Sequence, residues 1–489
     1  MFKLSARLSR QQNGRLAQCG LAALLTLGSP LSGRSEGLPD LGDASQEVIS
    51  PQQERQIGQQ SMFQIRADKH FLADAEVGDY LNQLGYRLAA NSSEPSLEFE
   101  FFALNDNAIN AFALPGGFIG VNTGLMLAAQ TESELASVLS HEIAHVTQHH
   151  LARMVAGQKY DSLASMAAMA FAILAARSNP QAAQAAAVGV TAGTMQRRLN
   201  FTREHEEEAD RIGLEILQKS GFDTRAMPAF FERLQKATRL LDGNAPSYLR
   251  THPMTNDRIA DIAGRVQQLP YKLVPDSLSF HLVRAKLIAQ EKTPTEALAY
   301  FSDALGAHKF GDPTAQRYGL VLALLRLNQT AKANQEFAPL AKQAARNPML
   351  TTLAGQLFRP EKSDAEHIAY YRTATQNFPQ HRALVYDYAE WLLKAGHYPQ
   401  ALDLLTERIA AFPNDPRLYD YQARSYAALE RPMELHRALA YAHVLRGQLY
   451  PAIEQLELAK RSGNDFYQLS AIDSDLKELH EIADAQKKR

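Results

Sequence analysis

The chain has 489 residues, enough for two to four domains, and its 45 % hydrophobic and 21 % charged content is that of an ordinary globular protein. A net charge of −2 gives no electrostatic reason to expect nucleic acid or an anionic membrane as partner. The single cysteine, Cys19, excludes both an intramolecular disulfide and a cysteine-based metal site.

Lys3, Arg7, Arg10 and Arg15 precede an apolar run from Leu16 to Leu27. A basic stretch followed by about a dozen apolar residues has the form of a signal peptide and is too short for a comfortable membrane span. Cleavage is expected between Ser29 and Ser35, so that 1–35 is the leader. An uncleaved leader would instead tether the protein to a membrane. Cys19 follows Gln18 and precedes most of the apolar run, which argues against a lipoprotein signal. Once the leader is removed, the protein has no cysteine to mispair in an oxidising compartment. Residues 36–50 contain Gly, Pro and Ser and read as a linker.

From Pro51 the pattern turns helical, and a second helix places Val77, Tyr80, Leu81, Leu84 and Leu88 on one face. Leu97 to Leu104 alternates apolar and acidic residues, as a half-buried strand does. Asn110 to Leu114 and Phe118 to Asn122 flank Pro115-Gly116-Gly117, a turn signal, and predict a hairpin or strand edge. Such an edge can hold an extended peptide by main-chain hydrogen bonds.

Glu132 to Leu139 has helical periodicity and runs into His141-Glu142-Ile143-Ala144-His145. Two histidines four residues apart leave the same helix face and can converge on one ion, with Glu142 placed to take a proton from an activated water. His149 and His150 read as exposed residues at the helix end. The bland stretches Leu163 to Ala176 and Gln181 to Val190, broken by Asn179-Pro180, are each too short to span a membrane. They predict a helical hairpin over 160–193 that acts as a lid on the site.

A catalytic zinc needs a third protein ligand. Glu206 and Asp210, four apart in an acidic run, share a helix face, and one can ligate while the other orients a histidine. Gly221 ends that helix, and a further one follows from Met227. His252 precedes Pro253, which puts it on extended backbone. It is either a fourth ligand that holds the enzyme off or a neighbour that donates to the developing oxyanion. From about residue 275, Ala recurs at fixed places between helix-length segments, most clearly from Val385 to Leu405, and Phe378-Pro379 stands one period of about 34 before Phe412-Pro413. Further units surround Ala285 with Ala297, Ala333 with Phe337, and Ala440, Gly447 and Ala452. This spacing resembles tetratricopeptide repeats, whose stacked units form a solenoid suited to binding extended segments or partners.

The motifs His141-Glu142-Ile143-Ala144-His145 and Glu206-Glu207-Glu208-Ala209-Asp210 resemble those of the HtpX and CAAX-prenyl-protease family of zinc metallopeptidases. That family also carries segments like Asn110-Ala111-Phe112 and His252-Pro253 followed by Arg258, in the same order. The resemblance implies a gluzincin site: one zinc held by His141, His145 and Glu206, with Glu142 as base and Asp210 orienting a ligand. It gives Asn110 a cleft-lining role and Arg258 a role supporting the cleft by pairing with a carboxylate. The expected fold is mainly α: a metallopeptidase domain of helices and a small β-sheet over 51–272, then an all-α repeat solenoid over 275–489. Similarity to the periplasmic, repeat-bearing members of the family implies quality control of stalled or misfolded outer-membrane β-barrel proteins, with some chaperone-like activity. The repeats would then reach the β-barrel assembly machinery. The rival reading is a non-catalytic adaptor with a structural zinc, against which the intact Glu142 argues.

Overall fold

The computed structural model describes residues 50–156, 203–240, 247–306, 311–357 and 363–487. The expected leader, most of the linker and the 160–193 hairpin with its lid role lie outside the described residues. The described chain divides into two compact units, one ending at Trp391 and the other beginning at Leu392.

The first unit opens with helix α1, Pro51–Ala67, started by a capping box between Ser50 and Gln53. Helix α2, Ala75–Ala89, is capped by Asp74, whose carboxylate accepts from the Glu76 and Val77 amides. Three strands follow: β1 Glu100–Leu104, β2 Ala111–Leu114 and β3 Phe118–Asn122. They form one sheet of order β1-β3-β2, with β1 parallel and β2 antiparallel to β3. β1 is shorter than its alternating pattern predicts, and its three central residues are all buried. The expected β2–β3 hairpin is present, and β2 is an outer strand of the sheet. Its turn requires glycine, because Gly116 and Gly117 have φ of +73° and +89° and a Cβ on Gly117 would stand 2.3 Å from the Glu98 carbonyl oxygen.

Short helix α3, Thr123–Ala128, leads into α4, Glu132–Thr147, whose N-terminus is capped by Thr131. Every residue of α4 is buried, polar ones included. The helix packs against α2, β2 and two later helices, α6 and α7, and so has no solvent face. Its buried Ser137 and Ser140 hydroxyls donate back to Glu134 and Ala136 carbonyls, at 2.7 and 2.8 Å. Helices α5 His150–Ala156, α6 Arg203–Lys219, α7 Ala226–Leu240, α8 Ser247–Thr251 and α9 Asn256–Gln267 complete this part. α6 turns Glu206, Ala209, Asp210, Gly213, Leu214 and Leu217 inward at helical spacing, and Gly221, at φ +78°, follows its end.

Helices α10 Leu278–Glu291, α11 Pro294–Gly306 and α12 Pro313–Arg326 follow. The hydrophobic core runs without a break from Val77, Leu139 and Phe231 into Phe280, Phe301 and Leu324. Buried polar contacts reinforce this continuity: Lys286 Nζ lies 2.7 Å from both Asp74 and Glu76, and His381 Nε2 lies 3.2 Å from Glu76. The alanines singled out by spacing, Ala285, Ala297, Ala333 and Ala389, are all buried where helices approach.

The second unit is all helical in its described residues, running from the end of Arg382–Lys394 to Phe466–Lys487. Ala401, Ala440 and Ala452 are buried there, and Gly396 and Gly447 have φ of +74° and +72° at the turns between paired helices. Phe378 and Phe412, one repeat apart, end their helices in the same conformation, φ −128° ψ 66° and φ −129° ψ 66°. No described helix is long and apolar enough to cross a membrane.

Candidate metal centre

The chemistry-bearing face of α4 points at α6 and at the loop after α8. His141, His145, Glu206 and His252 are all buried, and each offers a ligand atom within 4.8 Å of the others. The Nε2 atoms of His141 and His145 face each other at 3.0 Å. Glu206 Oε2 lies 3.5 Å from His141 Nε2, and Oε1 lies 3.6 Å from His145 Nε2. These spacings approximate the edges of a tetrahedron, about 3.3–3.5 Å, around a cation with nitrogen and oxygen bonds of about 2.0–2.2 Å.

Gly213 permits the approach of α6 to α4. A Cβ there would lie 3.0 Å from the His141 backbone. Asp210, one turn beyond Glu206, sets Oδ1 3.1 Å from His141 Nδ1. A neutral His141 that donates there presents its Nε2 lone pair to the cluster. Arg258 on α9 grips Asp210 with two hydrogen bonds of 2.7 and 2.8 Å, and its Nη1 lies 2.8 Å from Glu206 Oε2. Burial would raise the Asp210 carboxyl, but hydrogen bonds from His141 and Arg258 hold it below its usual range. Glu206 is likewise held well below, against burial, by His252 and His141. Burial lowers His141, yet its bonds to Asp210 and Glu206 bring it up to about 9, whereas burial and the neighbouring His141 push His145 well down.

Glu142 is fully buried, and neither carboxyl oxygen accepts a hydrogen bond from the described residues. His252 Nε2 stands 3.5 Å from its Oε1. Three buried carboxyl groups, Glu142, Glu206 and Asp210, face one buried guanidinium, Arg258. A divalent cation would bring the cluster close to neutrality and compensate carboxyl oxygens that are otherwise costly to bury. The residues present therefore fit a metal ion.

His252 follows α8, a short helix that the histidine–proline pair does not predict, and its amide donates to the Tyr248 carbonyl at 2.8 Å. The Tyr248 ring stacks on His252, with centroids 4.8 Å apart, and its buried hydroxyl has no partner among the described residues. The segment before β2 anchors α8: the Ile109 carbonyl accepts from the Tyr248 amide and the Ser247 hydroxyl, each at 3.1 Å. Asn110 itself is buried, and its carbonyl accepts from the Asn122 amide at 3.0 Å. No hydrogen bond among the described residues joins its side chain to the metal cluster.

The expectation that His149 and His150 are exposed is wrong. α4 ends at Thr147, and His149 takes a left-handed conformation, φ 49°, that folds the chain back. The His149 nitrogens lie 3.3 Å from Glu54 and 3.1 Å from Glu94. His150 is fully buried, with Nδ1 2.8 Å from His145 Nδ1 and Nε2 3.0 Å from Glu208. Burial is the main reason that its imidazole is held down at about 4. Sequence spacing gave no sign of His150 or Tyr248 in the site, because a left-handed turn and a short helix bring them there.

The peptidase family M48 model matches residues 76–266, and a tetratricopeptide-repeat model matches residues 364–424. The chain is 32 % identical over 445 residues to the beta-barrel assembly-enhancing protease of Escherichia coli K12, covering 90 % of this chain and 91 % of that protein. It is 37 % identical over 383 residues to the putative beta-barrel assembly-enhancing protease of Vibrio cholerae, covering 77 % and 78 %. Over 184 residues it is 32 % identical to the mitochondrial metalloendopeptidase OMA1 of Schizosaccharomyces pombe, covering 37 % of this chain and 51 % of that protein. A peptidase motif on a buried helix, a cluster that fits a metal ion and similarity over 90 % of the chain to the E. coli protease lead to one assignment: the chain belongs to peptidase family M48, as a metallopeptidase joined to tetratricopeptide repeats.

Proposed function

We propose that this protein is a periplasmic zinc endopeptidase that cleaves stalled or misfolded outer-membrane β-barrel proteins and assists the assembly of others. The names of the E. coli and V. cholerae relatives support the client class, and the leader-like residues 1–35 support the compartment. The repeats would select clients or reach the β-barrel assembly machinery. His141, His145 and Glu206 are the zinc ligands in this reading. A bound zinc lowers the pKa of a water and polarises the scissile carbonyl. Glu142 takes the proton of the attacking water at a carboxyl oxygen and passes it to the departing amine. Asp210 orients His141, and Arg258 fixes Asp210 and Glu206. Asn110 lies at the entrance to β2, whose outer edge holds the client strand by main-chain bonds. His252 would supply a fourth donor to a bound metal and so hold the resting enzyme off.

The observation that carries this reading is Glu142, buried beside the cluster with no hydrogen-bond donor on either carboxyl oxygen among the described residues. A purely structural site has no use for such a group. The client class is tested by offering the protein an unfolded outer-membrane β-barrel protein, the same protein folded in detergent, and an unfolded soluble protein. Cleavage of the first well above the other two is expected, and equal cleavage of all three would reject the client assignment. His252→Ala should raise cleavage severalfold with zinc still bound. Loss of cleavage with zinc bound would make His252 an oxyanion donor instead.

A further inference from the structure

The two histidines of α4 need different partners to act as metal ligands. A neutral imidazole that offers Nε2 to a cation must carry its hydrogen on Nδ1, and something must accept that hydrogen. His141 Nδ1 lies 3.1 Å from the Asp210 carboxylate, and His145 Nδ1 lies 2.8 Å from another imidazole nitrogen, His150 Nδ1. Two ring nitrogens at that distance are joined by one hydrogen, so if His145 donates, His150 Nδ1 must present a lone pair. The His150 hydrogen then sits on Nε2, which faces Glu208 Oε2 at 3.0 Å. Glu208 Oε2 also accepts from Arg153 Nη1, at 2.9 Å. Both imidazole hydrogens then point outward from the metal cluster toward the Glu208 carboxylate, and the tautomers of both rings follow from that. The His205 ring stacks on His150 with centroids 4.5 Å apart and planes at 17°, which holds the His150 plane in place.

We infer that His150 is a positioning residue for His145, and that the His145–His150–Glu208–Arg153 run is the counterpart of the His141–Asp210–Arg258 run. This rests on the reading that His145 is a metal ligand. The two runs differ in strength. His141 gives its hydrogen to an anion, whereas His145 gives its hydrogen to a neutral ring whose anion is one step further out. His145 is accordingly the less basic donor, and its orientation depends on a side chain only five residues away in sequence.

The test uses the full chain and its His150→Leu, His150→Asn and Glu208→Ala variants. Leu and Asn have nearly the same shape, but Asn places a carbonyl oxygen where His150 Nδ1 stands. Zinc affinity is measured by competition with a chromophoric chelator, and ligand geometry by the visible spectrum of the cobalt(II)-substituted protein. His150→Leu should bind zinc about 10–100-fold more weakly and shift the cobalt bands, as loss of a ligand-orienting group does elsewhere. His150→Asn should recover affinity to within about threefold and restore the spectrum. Glu208→Ala should lose about 3–10-fold, because nothing then fixes the hydrogen on His150 Nε2. Equal zinc affinity for His150→Leu and His150→Asn would overturn the inference. Should neither fold, as judged by thermal melting without metal, an unchanged affinity in Glu208→Ala would overturn it instead. A wild-type chain whose zinc affinity is unaffected by His145→Ala would overturn the ligand reading itself, a result distinct from failure of the His150 relay.

Discussion

On its inner side α4 leans on a buried ion pair drawn from far along the chain, and on its outer side it leans on a neighbour whose charged support reaches water. Arg258 and Asp210 are both almost wholly buried, while the outer pair of Arg153 and Glu208 has side chains 35 % and 27 % exposed. The chemistry is the same in each: a guanidinium holds a carboxylate that accepts, directly or through one ring, from a histidine. Burial decides how much each matters. A buried carboxylate that loses its guanidinium cannot be rescued by solvent, whereas an exposed one can. The inner side therefore carries folding and site geometry together, and the outer side adjusts the site with little effect on the fold.

The largest expected contrast is between the two arginines. Arg258→Leu leaves Asp210 and Glu206 uncompensated and should cost about 3–5 kcal/mol, seen as a large fall in denaturant midpoint. Arg153→Leu should cost less than about 1 kcal/mol. Similar losses in both would break the contrast. Next is backbone proximity. Gly213→Ala must push α6 from the His141 backbone and should cost about 1–3 kcal/mol together with weaker metal binding. Gly264→Ala, where an added Cβ meets nothing within 4 Å, should instead stabilise by about 0.5–1 kcal/mol. A Gly213→Ala protein with wild-type melting and metal affinity would show that α6 has room to spare.

A pH dependence on the outer side comes next. Glu54, against a smaller opposing effect of burial and with help from Glu94, brings His149 up to about 9. The folded protein then holds a proton that the unfolded chain, near 6.5, gives up. The sign follows from linkage: the contribution is fully present below about pH 6.5 and is lost as pH rises through about 9. Because the Glu94 side chain is 38 % exposed, about 1–2 kcal/mol is expected rather than the full shift. The stability difference between wild type and His149→Asn, followed by urea unfolding from pH 6 to 10, should shrink over that interval. A difference that stays flat or grows would contradict the assignment.

The sequence made one side of the site plain and hid the other. His141, His145, Glu206 and Asp210 were legible because helical spacing alone puts each pair on one face, and the structure brings the two faces together. The repeats were legible because buried alanines recur with the period of a helix pair. His150 was misread because exposure after a helix end is the usual outcome, and only the left-handed His149 reverses it. Tyr248 was missed because α8 is too short to show periodicity. The full burial of α4 was also hidden: its polar residues are satisfied by internal hydrogen bonds and by ion pairs such as Arg233 to Glu134 at 2.5 Å, which no local pattern shows.

In the proposed function, a metal on α4 and the Glu142 carboxyl together cleave peptide bonds. The most direct measurement is zinc per chain and cleavage of unfolded casein, for the mature protein and for Glu142→Gln. About one zinc is expected in both forms, with cleavage by the wild type and a loss of about 100-fold or more in the variant. Equal cleavage by both forms, or zinc in both with no cleavage even after His252→Ala, would contradict the proposed function.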